Sequence, residues 1–169
     1  TRVILFTRGQ GEAQDLVPAL PKRQFEQGPA LLSYRVESAP QPACWSPAPA
    51  EPSLSPSRGG IIRVETLLQA PPDPILQDYH LFVHLAEAAT GRPYAQDDYP
   101  PGGRPLSAAG WQPEELVVDH AFLRVPLDLP SGRYQILLGL YDPATGRRLR
   151  LEGQGEDSDR LVLGTYRAE

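Results

Sequence analysis

Hydrophobic and polar residues alternate with a two-residue period along most of the second half of this chain. Over 134–142, Tyr134, Ile136, Leu138 and Leu140 mark one face and Gln135, Leu137, Gly139 and Tyr141 the other, which predicts a strand. Tyr79, Leu81, Val83 and Leu85 repeat the pattern over 79–87, and Ile62, Val64, Thr66 and Leu68 repeat it over 61–70 before Pro71-Pro72-Asp73-Pro74 stops the chain. Leu116, Val118, His120 and Phe122 alternate ahead of Pro126, predicting a strand over 116–127 that is kinked at its end. Shorter apolar runs at 2–6, 31–37 and 161–166 complete the set. No helical period of useful length occurs, so the pattern predicts an all-β chain.

Turn chemistry narrows the architecture. Leu129-Pro130-Ser131-Gly132 joins the fixed φ of proline to the freedom of glycine immediately before Tyr134. A Leu-Pro-x-Gly-x-Tyr corner opening a strand resembles the tyrosine corner of immunoglobulin-like and fibronectin-like sandwiches, whose phenol caps backbone groups at the turn. The chain also repeats itself. Tyr79-x-Leu81-Phe82-Val83-x-Leu85 runs on to Glu87 and Ala89-Thr90-Gly91-Arg92, and Tyr134-x-Ile136-Leu137-Leu138-x-Leu140 runs on to Asp142 and Ala144-Thr145-Gly146-Arg147. In both copies an acidic residue opens a turn and the glycine takes the left-handed position. These are read as the C and F strands, side by side in one sheet, with their turns at one end of the sandwich. The expectation is one immunoglobulin/fibronectin-like antiparallel β-sandwich over 1–169, with 38–60 a proline-rich extended loop or linker, either packed through Trp45 or mobile, whose only large apolar side chains are Trp45 and Leu54.

Charge and composition exclude several functions. Sixteen basic and 21 acidic residues leave a formal charge of −5, which provides no footprint for a nucleic acid or an anionic membrane. No apolar run approaches the ~18 residues needed for a membrane span, and the absence of methionine reads as a fragment or processed product. Cys44 is the lone cysteine, so no internal disulfide can form, and it reads as a passive thiol. Gly9-Gln10-Gly11 lacks the third glycine of a dinucleotide fingerprint, and Pro18 and Pro21 interrupt the helix such a site needs, leaving a turn.

Candidate chemistry is sparse. No nucleophile elbow and no phosphate loop occur, so no catalytic residue, metal or cofactor is assigned. His80 and His84 on a strand stand about 13 Å apart, too far to share a metal ion. Asp97-Asp98, Glu114-Glu115 and Asp119-His120 could supply acid and base groups for glycoside hydrolysis, but neighbours on a strand face opposite ways and read as solvated loop charges. Two surfaces remain. Tyr94, Asp97, Asp98, Tyr99 and Trp111 surround an Asp-rich loop over 97–110, the aromatic-plus-carboxylate composition of a sugar site. His80, Phe82, His84, Leu137 and Tyr141 make an unusually apolar outer sheet face, covered either by the proline-rich segment or by a partner.

From residue 59 onward the motifs Gly59-Gly60-Ile61-Ile62, Tyr79-His80-Leu81-Phe82-Val83-His84-Leu85, Pro100-Pro101-Gly102-Gly103, Trp111-Gln112-Pro113-Glu114, Leu129-Pro130-Ser131-Gly132-Arg133-Tyr134, Tyr141-Asp142-Pro143-Ala144-Thr145-Gly146 and Leu161-Val162-Leu163-Gly164 resemble the C-terminal domain of bacterial multi-pass membrane glycosyltransferase-like proteins related to protein mannosyltransferases. The resemblance implies an extracytoplasmic, non-catalytic accessory domain beside a membrane-embedded transferase that carries the chemistry. A free-standing, secreted carbohydrate-binding module is the alternative reading, and a hydrolase a third.

Overall fold

The computed structural model describes residues 3–5, 18–39, 58–102, 108–153 and 158–169. Two sheets enclose one core. The first runs in the order β1 (Val3–Leu5), β7 (Leu116–Arg124), β4 (Ile61–Gln69), β3 (Ala30–Ala39), β2 (Pro18–Gln24), and the second runs β6 (Pro93–Tyr99), β5 (His80–Glu87), β8 (Gly132–Tyr141), β9 (Leu161–Ala168). Neighbours are antiparallel except β1, which lies parallel to β7. The all-β sandwich expected from the alternation is what forms.

The periodic residues fill the space between the sheets. Ile62, Val64 and Leu68 from β4 meet Leu81, Val83 and Leu85 from β5 and Tyr134, Ile136, Leu138 and Leu140 from β8, all at 1% exposure or less. In β7 the core face is Val117, Ala121 and Leu123, so the alternating set that includes Val118, His120 and Phe122 lies on the outer face. A bulge between Leu31 and Ser33 lets both Leu31 and Tyr34 face inward from β3.

The corner before β8 works as its sequence implies. Tyr134 Oη donates to the Pro130 carbonyl at 2.7 Å, fixing how the chain turns into the strand. β5 and β8 pair along their lengths, from His80 opposite Tyr141 to Glu87 opposite Tyr134.

Their turns are near duplicates. Gly91 and Gly146 both sit at φ 72°, and their amides donate to the Glu87 and Asp142 carbonyls at 2.8 Å. Thr90 Oγ1 donates to the Glu87 carboxylate and Thr145 Oγ1 to the Asp142 carboxylate, at 2.6 and 2.7 Å, and each threonine oxygen then accepts from the next residue but one, the Arg92 or Arg147 amide. The expectation that both turns leave from one end of the sandwich is corrected: antiparallel neighbours that use the same exit must leave at opposite ends.

The chain takes a different course after each turn. Beyond Gly91 it zips into β6 along β5. Beyond Gly146 it returns beside β8 only as far as the Arg148–Tyr141 bridge and the Leu149 amide on the Leu140 carbonyl, 2.8 Å. β9 occupies the same side of β8 from Gly132 to Leu138, so the returning chain, which runs back from Tyr141, is deflected across to Phe25, where Leu151 forms a second bridge.

Three further expectations are corrected. Pro18–Gln24 is a strand rather than part of a turn, because pairing with β3 satisfies an edge that tolerates Pro18 and Pro21. Pro93–Tyr99 is also a strand, so Asp97 and Asp98 belong to a sheet edge and not to a loop. Ser38 and Ala39 finish β3 and residues 58–60 lead into β4, while 40–57, with Cys44 and Trp45, lie outside the described residues, as does Gly9-Gln10-Gly11.

Candidate functional site

The residues of the expected sugar loop are dispersed by the fold. Trp111 is a core side chain, 6% exposed, with Gly102 packed against its indole. Tyr94 turns inward, edge-on to Tyr134 at 5.4 Å, with the Arg92 guanidinium 5.2 Å over its ring. Tyr99 has its hydroxyl buried, and burial, reinforced by the nearby Asp119 and Asp97 carboxylates, raises its pKa far above the ordinary tyrosine range. No exposed platform of Tyr94, Tyr99 and Trp111 forms.

The acidic pairs are split in the way strand geometry requires. Asp97 points inward and its Oδ2 accepts the Phe122 amide at 2.9 Å, capping β7 beyond the reach of β1. Asp98 points outward and its Oδ1 sits 2.9 Å from His84 Nε2. Glu115 is buried, with Oε2 accepting the Gln112 amide at 2.7 Å, whereas Glu114 is exposed at φ 59°. Asp119 is buried and takes the Gly102 and His120 amides at 3.0 and 2.7 Å. The reading of these acids as solvated loop charges is therefore corrected for Asp97, Glu115 and Asp119. They satisfy backbone donors that would otherwise be left open.

On the outer face of the first sheet, Arg63 Nη2 and Glu65 Oε2 are 2.6 Å apart, and His120 Nε2 is 3.5 Å from the same carboxylate oxygen. Burial, then the Arg63 charge, lowers the His120 pKa below the ordinary 6.5 against the opposing pull of Glu65.

The outer face of the second sheet keeps its aromatic character. Phe82 and Leu137 are 1% and 4% exposed, so neither is available to a partner. The Phe82 ring fills the space beside side-chain-free Gly139, and the Arg148 guanidinium lies over it at 4.5 Å. This cover comes from the chain itself. His80, His84 and Tyr141 remain half-buried, with His80 Nδ1 3.3 Å from Tyr141 Oη and the two rings edge-on at 5.5 Å. Burial, then Asp98, raises the Tyr141 pKa.

Arg148 joins this aromatic patch to a cleft of about 860 Å³, lined by Glu26, Gln27, Arg147, Arg148, Leu149, Arg150, Asp159 and Arg160. The deflected return strand creates it. Leu149 and Leu151 turn into the core, so Arg148 and Arg150 face out. Opposite them Asp159 lies 3.2 Å from Arg148 Nη1 and 3.8 Å from Arg160 Nε. The Glu26–Gln27 wall is firm: the Glu26 amide donates to the Arg150 carbonyl at 2.8 Å, and the left-handed Gln27, φ 58°, presents its carbonyl to buried Tyr79 Oη at 3.0 Å. The cleft's signal in the sequence is Arg147-Arg148-Leu149-Arg150-Leu151, a basic run with strand alternation after a turn, which no motif of known chemistry marks.

Among solved structures, the C-terminal domain of Wzt is similar to this chain. The TM-score is 0.53, over 92% of this chain and 84% of that one, at 14% sequence identity. At that identity the shared feature is the β-sandwich. No family model and no curated protein matches the chain. The glycosyltransferase setting implied by the sequence motifs finds no counterpart in these comparisons. Among the described residues, no three His, Cys, Asp or Glu side chains come together as metal ligands, and no helix is long and apolar enough to cross a membrane.

Proposed function

We propose that this chain is a non-catalytic, glycan-binding accessory domain that works outside the cytoplasm beside a membrane-associated assembly. The observation that carries the reading is the continuity of an aromatic patch with a polar cleft. Tyr141 and His80 offer ring surface and hydroxyl or imidazole groups, and Arg148 leads from them into a space large enough for one or more sugar residues. Sugars combine apolar CH faces with dense hydroxyls, so a ring beside several fixed donors and acceptors suits them. The sandwich shared with the C-terminal domain of Wzt is compatible with an appended domain of this kind.

The dispersal of the carboxylates favours binding over hydrolysis. Asp97 and Asp98 face opposite sides of β6, and Asp97 is committed to a backbone amide. A hydrolytic dyad needs two carboxylates facing one glycosidic bond about 5–9.5 Å apart.

The test is a glycan array followed by calorimetry on the best ligand. At least one saccharide should bind, and Tyr141→Ala, which removes a half-buried ring at a strand end, should weaken it about tenfold or more while circular dichroism stays unchanged. If no saccharide bound, or if Tyr141→Ala bound as the parent does, the reading would be wrong.

A further inference from the structure

We infer that the arginine-lined cleft selects saccharides bearing an oxyanion, a carboxylate or a phosphate or sulfate ester, over neutral ones. The inference rests on the glycan-binding reading and adds the charge class of the ligand. It starts from an imbalance. The chain as a whole carries a formal −5, yet Arg147, Arg148, Arg150 and Arg160 line one cleft against Glu26 and Asp159. Like charges crowded in a partly enclosed space repel one another and reinforce the field on anything that enters.

The four arginines are not equivalent. Arg148 is already engaged: Asp159 holds one end of its guanidinium and the Phe82 ring supports its face. Arg160 shares that same carboxylate at a longer 3.8 Å. Arg147 and Arg150 are exposed and make no ion pair within 4 Å among the described residues; Arg147 feels the solvated Asp142 carboxylate of its own turn, so Arg150 is the freer of the two, and both five-donor forks can still reach a ligand. Planar guanidinium forks match carboxylate and phosphate geometry in a way that neutral hydroxyls do not.

The backbone fixes this arrangement. Arg148 is bridged to Tyr141, and Arg150 stands two residues on along the same extended segment, whose carbonyl holds the Glu26 amide. Arg148 therefore sits opposite Tyr141, and Arg147 and Arg150 line the cleft on either side of Arg148 in sequence, so a sugar stacked on the Tyr141 ring would direct its acidic substituent past Arg148 into that cleft. Asp159 has a positioning role: it keeps Arg148 and Arg160 on the cleft wall without neutralising Arg147 or Arg150.

The experiment is calorimetric titration of the protein with trigalacturonic acid, its fully methyl-esterified neutral form, and inorganic phosphate. Trigalacturonate should bind, weaken steeply as salt is raised, and lose about tenfold or more in affinity in each of Arg147→Gln and Arg150→Gln. The methyl ester should bind at least tenfold more weakly than the acid and be indifferent to both substitutions. Equal binding of acid and ester, unchanged in the arginine variants, would overturn the inference and leave the glycan-binding reading intact. Phosphate binding as tight as trigalacturonate would overturn both, since the sugar would contribute nothing.

Discussion

Gly139→Ala is the substitution that most directly tests how the outer face is built. An added Cβ would stand 2.5 Å from Phe82 Cε1, closer still to Cζ, and 2.8 Å from the Asp159 carbonyl oxygen. One neighbour is a rigid ring pinned beneath Arg148 and the other is backbone, so neither yields cheaply. Overpacking of this kind costs about 1–3 kcal/mol, partly offset by the ~0.5–1 kcal/mol that alanine gains over glycine within a strand. A net loss of about 1–2 kcal/mol is expected. Urea denaturation followed by circular dichroism and tryptophan fluorescence should show a lower midpoint at an unchanged slope. Phe82→Ala alone should cost about 3–5 kcal/mol as a large-to-small change. The double variant should cost less than the sum of the two, by about 1 kcal/mol or more, because the clash disappears with the ring. A neutral or stabilising Gly139→Ala, or an additive cycle, would refute the claim that the ring occupies the glycine's space.

Gly91→Ala and Gly146→Ala should each cost about 1–2 kcal/mol, and by equal amounts, because both residues sit at φ 72° with nothing within 4 Å of an added Cβ; unequal melting-temperature losses would show that the two turns are not the same device. His120 should titrate below 6.5 by NMR. Its folded-state pKa is depressed, so its contribution is fully present above the unfolded value of about 6.5 and is lost as pH falls from there through the folded value; His120→Gln should flatten that part of the stability profile, and an imidazole titrating at or above 6.5 would contradict the burial argument.

Local chemistry was the legible part of the fold. Alternation located β4, β5 and β8, Pro130 and Tyr134 announced their corner, and the Thr-Gly-Arg repeats announced their turns. Each signal is written in neighbouring residues. Strands β2 and β6 were missed because Pro18, Pro21, Lys22, Asp97 and Asp98 carry turn-like or polar chemistry, and only the partner strands β3 and β5 make extended backbone favourable there. The aromatic candidates failed for a related reason. Tyr94, Tyr99 and Trp111 are close in sequence to a polar stretch, but their large apolar areas take them inward. His80, His84 and Tyr141 were placed on the correct face because strand parity alone decides it. The cleft depends on Arg160 and Glu26 arriving from distant segments and on a return strand blocked by β9, neither of which any window of sequence contains.

The two turns also give the molecule an internal control. Gly91 and Gly146 donate identical hydrogen bonds from identical backbone conformations, yet one closes a fully zipped hairpin and the other a hairpin cut short after a single bridge. At the glycine amides the turn geometry cancels between them, while the flanking positions differ, with the Ala88 amide on the Arg133 carbonyl and the Ala144 amide on the Asp142 carboxylate. A difference in exchange between these two amides therefore reports chiefly the support lent by the strand behind each turn, and the faster opening is expected at Gly146. The wall of the cleft is thus drawn from the less protected of two matched elements, where a bound ligand has the most slack to remove.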